Sequence, residues 1–177
     1  MRLFTGIAVP EEAAKELAKF TTKLKTYADL RWTRPEKLHI TTAFLGEWPE
    51  KRLRELREAL HKVATPGPVD LFLARAGWMP SVRFARALYT GVGPYEPLHD
   101  LHKATARVLL EIGAELEDRI YRPHVTLARR RGKVNIKKLN DQIEEMDTHR
   151  LAGFEATAFH LFLSADGKYT KLEEYPL

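Results

Sequence analysis

The sequence predicts an α+β fold, and three features of its 177 residues support that prediction. Strand-like segments and segments with helical spacing of apolar residues follow one another along the chain. A short pattern, His-x-Thr, occurs twice in apolar surroundings, at His39 and at His124. With 44% hydrophobic and 30% charged residues and no low-complexity tract, the chain has an ordinary globular composition. We therefore expect one domain that spans residues 1–177.

The first half contains the first three predicted strands and the first two helices. Residues 2–9 (RLFTGIAV) form an apolar run typical of a buried strand, and Pro10 with two following glutamates predicts a helix start. Residues 30–33 (LRWT) precede the first His-x-Thr strand, and Pro49 opens a second helix that ends at TPGP, residues 65–68. The apolar faces of the two helices are Ala13, Leu17, Phe20 and Leu24, and Leu53, Leu56, Leu60 and Val63.

The second half repeats this rhythm. Residues 69–79 and 83–92 predict two antiparallel strands, and a third helix is expected from Pro94 to Ile112. The second His-x-Thr strand follows, and then a helix from about Asn135 to Met146. The end of the chain, FEATAFHLFLSA, DGK and YTKLEEYPL, predicts a hairpin with Asp166-Gly167 as its turn. Because each His-x-Thr strand is followed by a helix, we expect two related, pseudo-symmetric lobes.

The composition excludes several classes of protein. The absence of cysteine rules out disulfides, a thiol nucleophile and cysteine-ligated metals. The N-terminal apolar run is too short for a signal peptide, and no stretch approaches the roughly 20 apolar residues of a membrane span. We expect a cytoplasmic monomer without contact to a membrane. The net charge of +5 suits an anionic partner but does not require one.

The two His-x-Thr copies predict a polar site on a sheet. In a strand, alternate side chains share a face, so His39 lies beside Thr41, and His124 beside Thr126. Two imidazoles that titrate near neutrality can act as general acid and general base, and threonine hydroxyls can hold phosphoryl oxygens. Histidines also bind metals, but neither copy carries a carboxylate at the alternate position and no H-E-x-x-H spacing occurs. We therefore expect no metal and no cofactor.

Basic and aromatic residues extend the predicted site. The basic residues near the two copies are Arg31, Arg34, Arg119, Arg122, Arg129, Arg130, Arg131 and Lys133. Strand alternation places Arg130 on the face of His124 unless a bulge intervenes, which makes it a candidate phosphate ligand; a solvated charge is the alternative. The candidates for stacking on a base are Phe4, Trp32, Phe84, Tyr89 and Tyr121, although most strand aromatics belong to a core.

The remaining histidines have a simpler interpretation. His99 and His102 are spaced so that they could share a metal on a helix. A position at the surface is the preferred interpretation, as it is for His61, His149 and His160.

The motifs HITTAFLG and YRPHVTLAR, together with MRLF, RWTRPEKLH and YEPLHDLHKA, resemble the 2H phosphoesterase superfamily over essentially the whole chain. More narrowly, they resemble the bacterial and archaeal RNA 2′,3′-cyclic phosphodiesterases, formerly called 2′-5′ RNA ligases. The resemblance implies a bilobal α+β fold in which two antiparallel sheets form a concave cleft with helices outside. It also implies that the two His-x-Thr motifs face one another across that cleft.

The resemblance assigns roles that the residues alone leave open. It implies that His39 donates a proton to the leaving 3′ oxygen, that His124 activates water, and that Thr41 and Thr126 hold the phosphate. Its HVTLAR pattern makes Arg129 the recurring arginine, in disagreement with the alternation that selects Arg130. The sequence departs from the common family pattern at Thr42 and Ala43. Alternation points Thr42 away from His39, so we expect it to be structural.

Three functional hypotheses follow. The first is a metal-independent hydrolase that opens 2′,3′-cyclic phosphates on RNA ends or nucleotides and leaves a 2′-phosphate. The second is an RNA ligase that joins 2′-phosphate and 5′-hydroxyl ends in the reverse reaction. The third is a non-catalytic module that binds RNA ends. Retention of both histidines and both threonines disfavours the third, because binding alone would not need an acid and a base.

Overall fold

The structure is a computed structural model that describes residues 1–117 and 120–177. Arg119 lies outside the described residues. The strands are β1 (Arg2–Ala8), β2 (Leu30–Trp32), β3 (His39–Glu47), β4 (Val69–Met79), β5 (Ala87–Gly93), β6 (His124–Arg130), β7 (Ala152–Ala156), β8 (Ala158–Ala165) and β9 (Lys168–Pro176). The helices are α1 (Glu11–Lys25), α2 (Leu53–Leu60), α3 (Tyr95–Glu111) and α4 (Ile136–Glu144).

The strands form one curled antiparallel sheet in the order β7-β4-β5-β6-β3-β1-β8-β9, and β2 pairs with β6 beside this path. Four strands of this path therefore lie on each side of the junction between β3 and β6. That junction consists of one residue pair, Ile40 with Val125, which joins the two predicted sheets into a continuous one. The predicted α+β fold, with a concave antiparallel surface and helices outside it, is confirmed.

The apolar core lies between the helices and one face of the sheet. Ile40 and Val125 belong to this core and are fully buried, whereas His39 and His124 alternate with them and face the other side. The helices thus cover the convex face and leave the concave face open, so the His-x-Thr side chains lie where a ligand can reach them.

The helices follow their sequence patterns with small changes at the ends. In α1 the predicted apolar residues are all buried, and the sequence carries acidic residues in the first turn and basic residues in the last, which suits the helix dipole. The second predicted helix begins as a 3₁₀ turn, Glu50–Arg52, before it becomes α2. In α4 the Asn135 side chain accepts a hydrogen bond from the Lys138 backbone N–H at 3.0 Å and caps the helix.

The end of the chain corrects one expectation and confirms another. FEATAFHLFLSA is interrupted at Thr157: β7 pairs with β4 at one edge of the sheet, whereas β8 pairs with β1 in the other half. A single predicted strand is therefore two, because the chain crosses between the two halves there. The hairpin of β8 and β9 is confirmed; Asp166 and Gly167 both have positive φ, as a tight hairpin turn requires.

Two histidines expected at the surface are not there. His160 lies on a central strand with only 5% of its surface exposed, and His102 on α3 is half-buried and hydrogen-bonded to the sheet. The expectation was wrong because it rested on residue type alone, and the sheet order that covers these side chains was not known.

Within the described residues, none of the helices combines the length and the apolar character that a membrane span needs.

Candidate active site

Strand β3 presents the first motif on the concave face. It pairs with β1 so that His39 lies opposite Ala8 and Thr41 opposite Gly6. The register then shifts, because Thr42 is an extra residue in β3 without a partner in β1. Gly6 allows this close approach, since a Cβ at that position would lie 2.5 Å from the Ile40 carbonyl oxygen. Glycine is therefore needed where β1 passes the motif.

Strand β6 presents the second motif in the same way. It pairs with β5 so that His124 lies opposite Gly91 and Thr126 opposite Tyr89. The register shifts after Thr126, and here Leu127 is the residue without a partner. Each motif thus carries a β-bulge at the third residue after its histidine.

The bulges decide which later residues face the concave surface. After a bulge the alternation of faces is reversed, so Arg129, not Arg130, shares the face of His124 and Thr126. The positive charge of Arg129 accordingly acts on both motif histidines. Arg130 instead donates from its Nε to the Gly132 carbonyl at 3.2 Å. Alternation placed Arg130 on this face unless a bulge intervened; a bulge does intervene at Leu127, and Arg129 lies there instead.

In β3 the residue equivalent to Arg129 is Phe44. It lies opposite Phe4, whose ring contacts the His39 ring at 4.8 Å, and 54% of its surface is exposed. Phe44 was not among the candidate site residues of the sequence analysis. Placing the two copies one above the other, HITTAF over HVTLAR, would have shown the equivalence.

The junction of the sheet brings the two motifs together. Since Ile40 pairs with Val125 in antiparallel register, His39 lies next to Thr126 and Thr41 next to His124. The charge of His124 contributes to the lowered pKa of His39, which places the two imidazoles within electrostatic reach. Four polar side chains from distant parts of the sequence therefore meet at one place on the concave face.

Both imidazoles are held in the same orientation. Nδ1 of His39 lies 2.7 Å from the Lys37 carbonyl oxygen, and Nδ1 of His124 lies 2.8 Å from the Arg122 carbonyl oxygen. A carbonyl oxygen can only accept, so each Nδ1 carries a proton and donates it. The Nε2 nitrogen of each ring remains available to take up or release a proton.

Burial lowers the pKa of both motif histidines below the ordinary range. For His39 the largest cause is desolvation, opposed by the hydrogen bond to Lys37 and reinforced by the charges of His124 and Arg129. For His124 the largest cause is again desolvation, opposed by the bond to Arg122 and reinforced by Arg129. In the absence of an anion, both rings therefore favour the neutral form more than a solvated histidine does.

The bulge at Thr42 is fixed by side chains. Two successive carbonyl groups of β3 at the bulge accept hydrogen bonds from side chains. The Tyr121 hydroxyl donates to the Thr41 carbonyl at 3.2 Å, and His102 Nδ1 donates to the Thr42 carbonyl at 2.6 Å. The two rings stack on each other, with centroids 4.1 Å apart. Thr42 is 1% exposed, and its hydroxyl is hydrogen-bonded to the Thr5 hydroxyl at 2.7 Å. As expected, Thr42 is structural and points away from the site.

The five aromatic candidates for base stacking lie in different surroundings. Phe4 is buried beside His39, and Tyr89 lies 5.9 Å from the His124 ring. Tyr121 stacks on His102, and burial raises the pKa of its hydroxyl. Trp32 packs against the core with Lys25 over its ring, and Phe84 is 60% exposed on the β4–β5 connection beside Arg83. Of these five candidates, Phe4 and Tyr89 are the ones that lie beside the motif histidines.

Two aromatic residues beside His39, Phe162 and Tyr169, were not among the sequence candidates. Tyr169, on β9, meets the His39 ring edge-on at 5.2 Å and the Phe4 ring at 5.1 Å. Nζ of Lys37 lies 5.7 Å from the centre of the Tyr169 ring and donates to the Gly167 carbonyl. No local pattern could have revealed this contact, because it depends on β9 lying two strands from β1 in the sheet.

Among the described side chains, no group of three or more histidine, aspartate or glutamate residues is arranged to hold a metal ion.

Comparison with known proteins agrees with this geometry. The profile of the family described as LigT like Phosphoesterase matches residues 7–89. The RNA 2′,3′-cyclic phosphodiesterase of Methanocaldococcus jannaschii is 33% identical over 165 residues, which cover 93% of this chain and 91% of the relative. The enzyme of the same name from Methanothermobacter thermautotrophicus is 26% identical over 183 residues, covering 100% of this chain and 99% of the relative.

Solved structures share the fold. A Thermus thermophilus protein superimposes with a TM-score of 0.82 at 25% identity, covering 100% of this chain and 98% of that one. E. coli LigT complexed with 3′-AMP gives a TM-score of 0.76 at 24% identity, covering 99% and 97%. The twin motifs, the curled sheet and the relative at 33% identity lead to one conclusion: the chain belongs to the LigT-like phosphoesterase family of the 2H superfamily.

Proposed function

We propose that this phosphoesterase hydrolyses 2′,3′-cyclic phosphates at RNA ends or on nucleotides to a 2′-phosphate, with His39 and His124 as its acid and base. The single observation that carries the proposal is the pair of imidazoles on adjacent strands, each with Nδ1 committed to a carbonyl and Nε2 free. The names of the relatives support the substrate class, since each is called an RNA 2′,3′-cyclic phosphodiesterase.

The reaction is an in-line displacement at phosphorus. Neutral His124 accepts a proton on Nε2 from the attacking water, whose oxygen bonds to phosphorus. The bond between phosphorus and the 3′ oxygen breaks on the opposite side, and protonated His39 donates its Nε2 proton to that oxygen. The products are a 2′-phosphomonoester and a 3′-hydroxyl. Proton exchange with solvent then restores the starting ionisation of both rings.

The other residues of the site stabilise the charge that develops on the phosphoryl oxygens. Thr41 and Thr126 can donate their hydroxyl protons, and Arg129 provides a permanent positive charge near both imidazoles. An anionic substrate favours imidazolium, so binding raises the depressed pKa of the acid toward a value that suits proton transfer. The lowered pKa values of the two histidines in the free protein are therefore compatible with a protonated acid in the substrate complex.

These groups supply proton transfer and charge stabilisation without an added ion. We therefore expect hydrolysis to persist in excess EDTA, and a complete loss of activity restored only by a divalent metal would contradict the mechanism.

In ligation, the 5′-hydroxyl of a second RNA end would replace water as the nucleophile on the 2′,3′-cyclic phosphate. His124 would accept its proton, the bond between phosphorus and the 3′ oxygen would break, and His39 would protonate that oxygen, which leaves a 2′-5′ phosphodiester. Adding a 5′-hydroxyl oligonucleotide to the hydrolysis assay and measuring joined product against released 2′-phosphate separates the two activities.

The decisive experiment incubates the purified protein with an oligonucleotide that ends in a 2′,3′-cyclic phosphate, in EDTA. The product is compared by chromatography with synthetic 2′-phosphate and 3′-phosphate standards. We expect only the 2′-phosphate, formed at least about a hundredfold more slowly by the His124→Ala variant. A 3′-phosphate product would reverse the assignment of the leaving oxygen, and an unchanged cyclic end would refute the proposed function.

A further inference from the structure

A cavity of about 470 Å³ opens beside His39, on the side away from Thr41. Its lining includes the end of β1, the start of β8 and residues of β9. The side chains that matter here are Lys37, His39, His160, Tyr169, Lys171 and Glu174. Apart from His39, the proposed proton transfers use none of them. The cavity is thus continuous with the candidate active site but carries additional polar groups.

The far end of the cavity contains a carboxylate and an ammonium group around one imidazole. Nε2 of His160 lies 3.0 Å from Oε2 of Glu174, and the strand register places both on the concave face. The positive charge of Lys171 also acts on His160. One oxygen of Glu174 is engaged by His160, which leaves the other able to accept a hydrogen bond from a ligand.

The walls and floor of the cavity near His39 are aromatic. Tyr169 stands edge-on to His39, and Phe162 lies between His39 and His160 with ring centroids 6.1 and 5.6 Å away. His160 is two strands from β3, which is about 10 Å across a sheet. This span, apolar near His39 and polar at its end, matches a nucleoside that extends from its ribose to the edge of its base.

The direction of the reaction places the nucleoside on this side. In an in-line displacement, the leaving 3′ oxygen must lie against the group that protonates it, which is His39, and the water lies on the His124 side. The ribose and its base are then on the side of the cavity. This step rests on the proposed function and on its assignment of the acid.

We propose that the cavity beside His39 is the binding site for the nucleobase of the nucleotide that carries the cyclic phosphate, and that Glu174 and Lys171 contact the hydrogen-bonding edge of the base. A carboxylate accepts from ring N–H or amino groups, and an ammonium donates to a carbonyl oxygen or ring nitrogen. Every nucleobase edge carries groups of both kinds. These two side chains therefore determine how well each of the four bases is bound.

The test uses two substrates that differ only in the base. One is a nucleoside 2′,3′-cyclic phosphate, and the other is methyl β-ribofuranoside 2′,3′-cyclic phosphate, which keeps the reacting atoms and lacks the base. The wild-type protein should hydrolyse the nucleotide with a kcat/KM higher by about tenfold or more, because it gains contacts for a whole base. The difference should lie mainly in KM, since base contacts are made equally in the ground state and the transition state.

Two variants remove the polar contacts. Glu174→Gln and Lys171→Met should each lower kcat/KM for nucleotides by about tenfold, as expected for one hydrogen bond to a charged group, and leave the methyl riboside unchanged. Glu174→Gln should also change the ranking of the four nucleoside cyclic phosphates, because an amide donates where a carboxylate only accepts. The matched control is Glu173→Gln, whose side chain faces α2 and pairs with Arg57 and His61. It should affect neither substrate.

The outcomes separate the two proposals. If the wild-type protein hydrolyses neither substrate, the proposed function itself fails. Equal kcat/KM for the two substrates, or equal losses on both in the Glu174 and Lys171 variants, would overturn the base site and leave the hydrolase intact. Because the methyl riboside reports on the catalytic groups within each variant, damage to the fold cannot be mistaken for loss of base binding.

Discussion

The two motif strands, β3 and β6, are the same in three respects and differ in two. Each carries His-x-Thr on the concave face, each has a bulge at the third residue after the histidine, and each histidine bonds through Nδ1 to a carbonyl two residues earlier. The shared features orient two imidazoles and two hydroxyls. The same local structure, a His-x-Thr strand with a bulge and a hydrogen-bonded Nδ1, therefore orients the imidazole in both strands.

The first difference is the residue that the bulge turns onto the concave face. In β6 it is Arg129, whose charge acts on both histidines; in β3 it is the exposed Phe44. His39 also has three aromatic neighbours, Phe4, Phe162 and Tyr169, whereas among the described residues the ring beside His124 is that of Tyr89. The two motifs present the same side chains, but the residues around them differ.

The second difference is how the bulge itself is held. In β6 the Leu127 carbonyl accepts from the backbone N–H of Thr33 at 2.9 Å. In β3 the equivalent Thr42 carbonyl accepts from the His102 side chain, and the neighbouring Thr41 carbonyl accepts from Tyr121. Strand β3 runs past the start of β6, and within the part of the chain that the structure describes, side chains supply the donors there that a neighbouring strand supplies in β6.

The largest expected effect tests the shared features. His39→Ala and His124→Ala should each lower kcat by at least about a hundredfold, because each removes one partner of a general acid–base pair. The double variant should be little worse than the poorer single variant, since the two groups act together. Binding of a cyclic-phosphate RNA end should survive in all three. A single variant with nearly normal turnover would show that the two copies are not an acid–base pair.

The next effect tests the first difference. Arg129→Ala should lower kcat by about tenfold to a hundredfold, because a charged hydrogen-bond donor to the phosphoryl group is lost. Arg130→Ala is the matched control: it removes the adjacent exposed arginine, which points to the other face of the strand, and should cost less than about fivefold. The comparison is made on kcat at saturating substrate. A larger loss for Arg130 would mean that the bulge does not decide which arginine acts.

The positions of Arg129 and Arg130 also show which features of the site could be predicted from the sequence. Alternation correctly placed His39 with Thr41 and His124 with Thr126, because these pairs precede the bulges. It failed at Arg130, because a bulge depends on the pairing of β6 with β5, which no local pattern reveals. The family resemblance selected Arg129 from the recurring HVTLAR pattern. The bulge at Leu127 explains that pattern, because it turns Arg129 onto the face of His124.

The elements were more predictable than their arrangement. Helical spacing identified α1 and α3, and the Asp166-Gly167 turn identified the last hairpin, since these patterns are local. The split of FEATAFHLFLSA at Thr157, the burial of His160 and the contact of Tyr169 with His39 all depend on which strands are neighbours in the sheet. Contacts that depend on the order of strands in the sheet could not be predicted from the sequence.

The pH dependence tests the electrostatic side of the same difference. A plot of kcat/KM against pH should be bell-shaped, rising as the base loses its proton and falling as the acid loses its proton. The two limbs report macroscopic pKa values of the histidine pair, which cannot be assigned to one histidine each. Burial and Arg129 lower the pKa of both histidines, so the maximum should lie on the acidic side of about 6.5, the ordinary histidine value.

Removing the arginine charge should move this profile. Arg129→Ala takes away a cause that lowers both pKa values, so both limbs should shift to higher pH, whereas Arg130→Ala should leave them in place. The profile of kcat should also lie at higher pH than that of kcat/KM, because a bound anion favours imidazolium. A flat profile through the histidine range, or equal shifts in the two arginine variants, would contradict this electrostatic account.

The smallest effect tests how the bulge of β3 is held. Tyr121→Phe keeps the ring that stacks on His102 and removes only the hydroxyl that donates to the Thr41 carbonyl. We expect a loss of about 1 kcal/mol in the free energy of unfolding, measured by urea denaturation, because a half-buried carbonyl loses its partner. We also expect kcat to fall by less than about fivefold, since Thr41 is displaced only slightly. Tyr95→Phe is the control, because its exposed hydroxyl donates at 3.4 Å to the Tyr121 carbonyl, away from the motif. If the two variants lose equal stability and equal activity, the hydroxyl of Tyr121 has no particular part in holding β3, and His102 alone fixes the bulge.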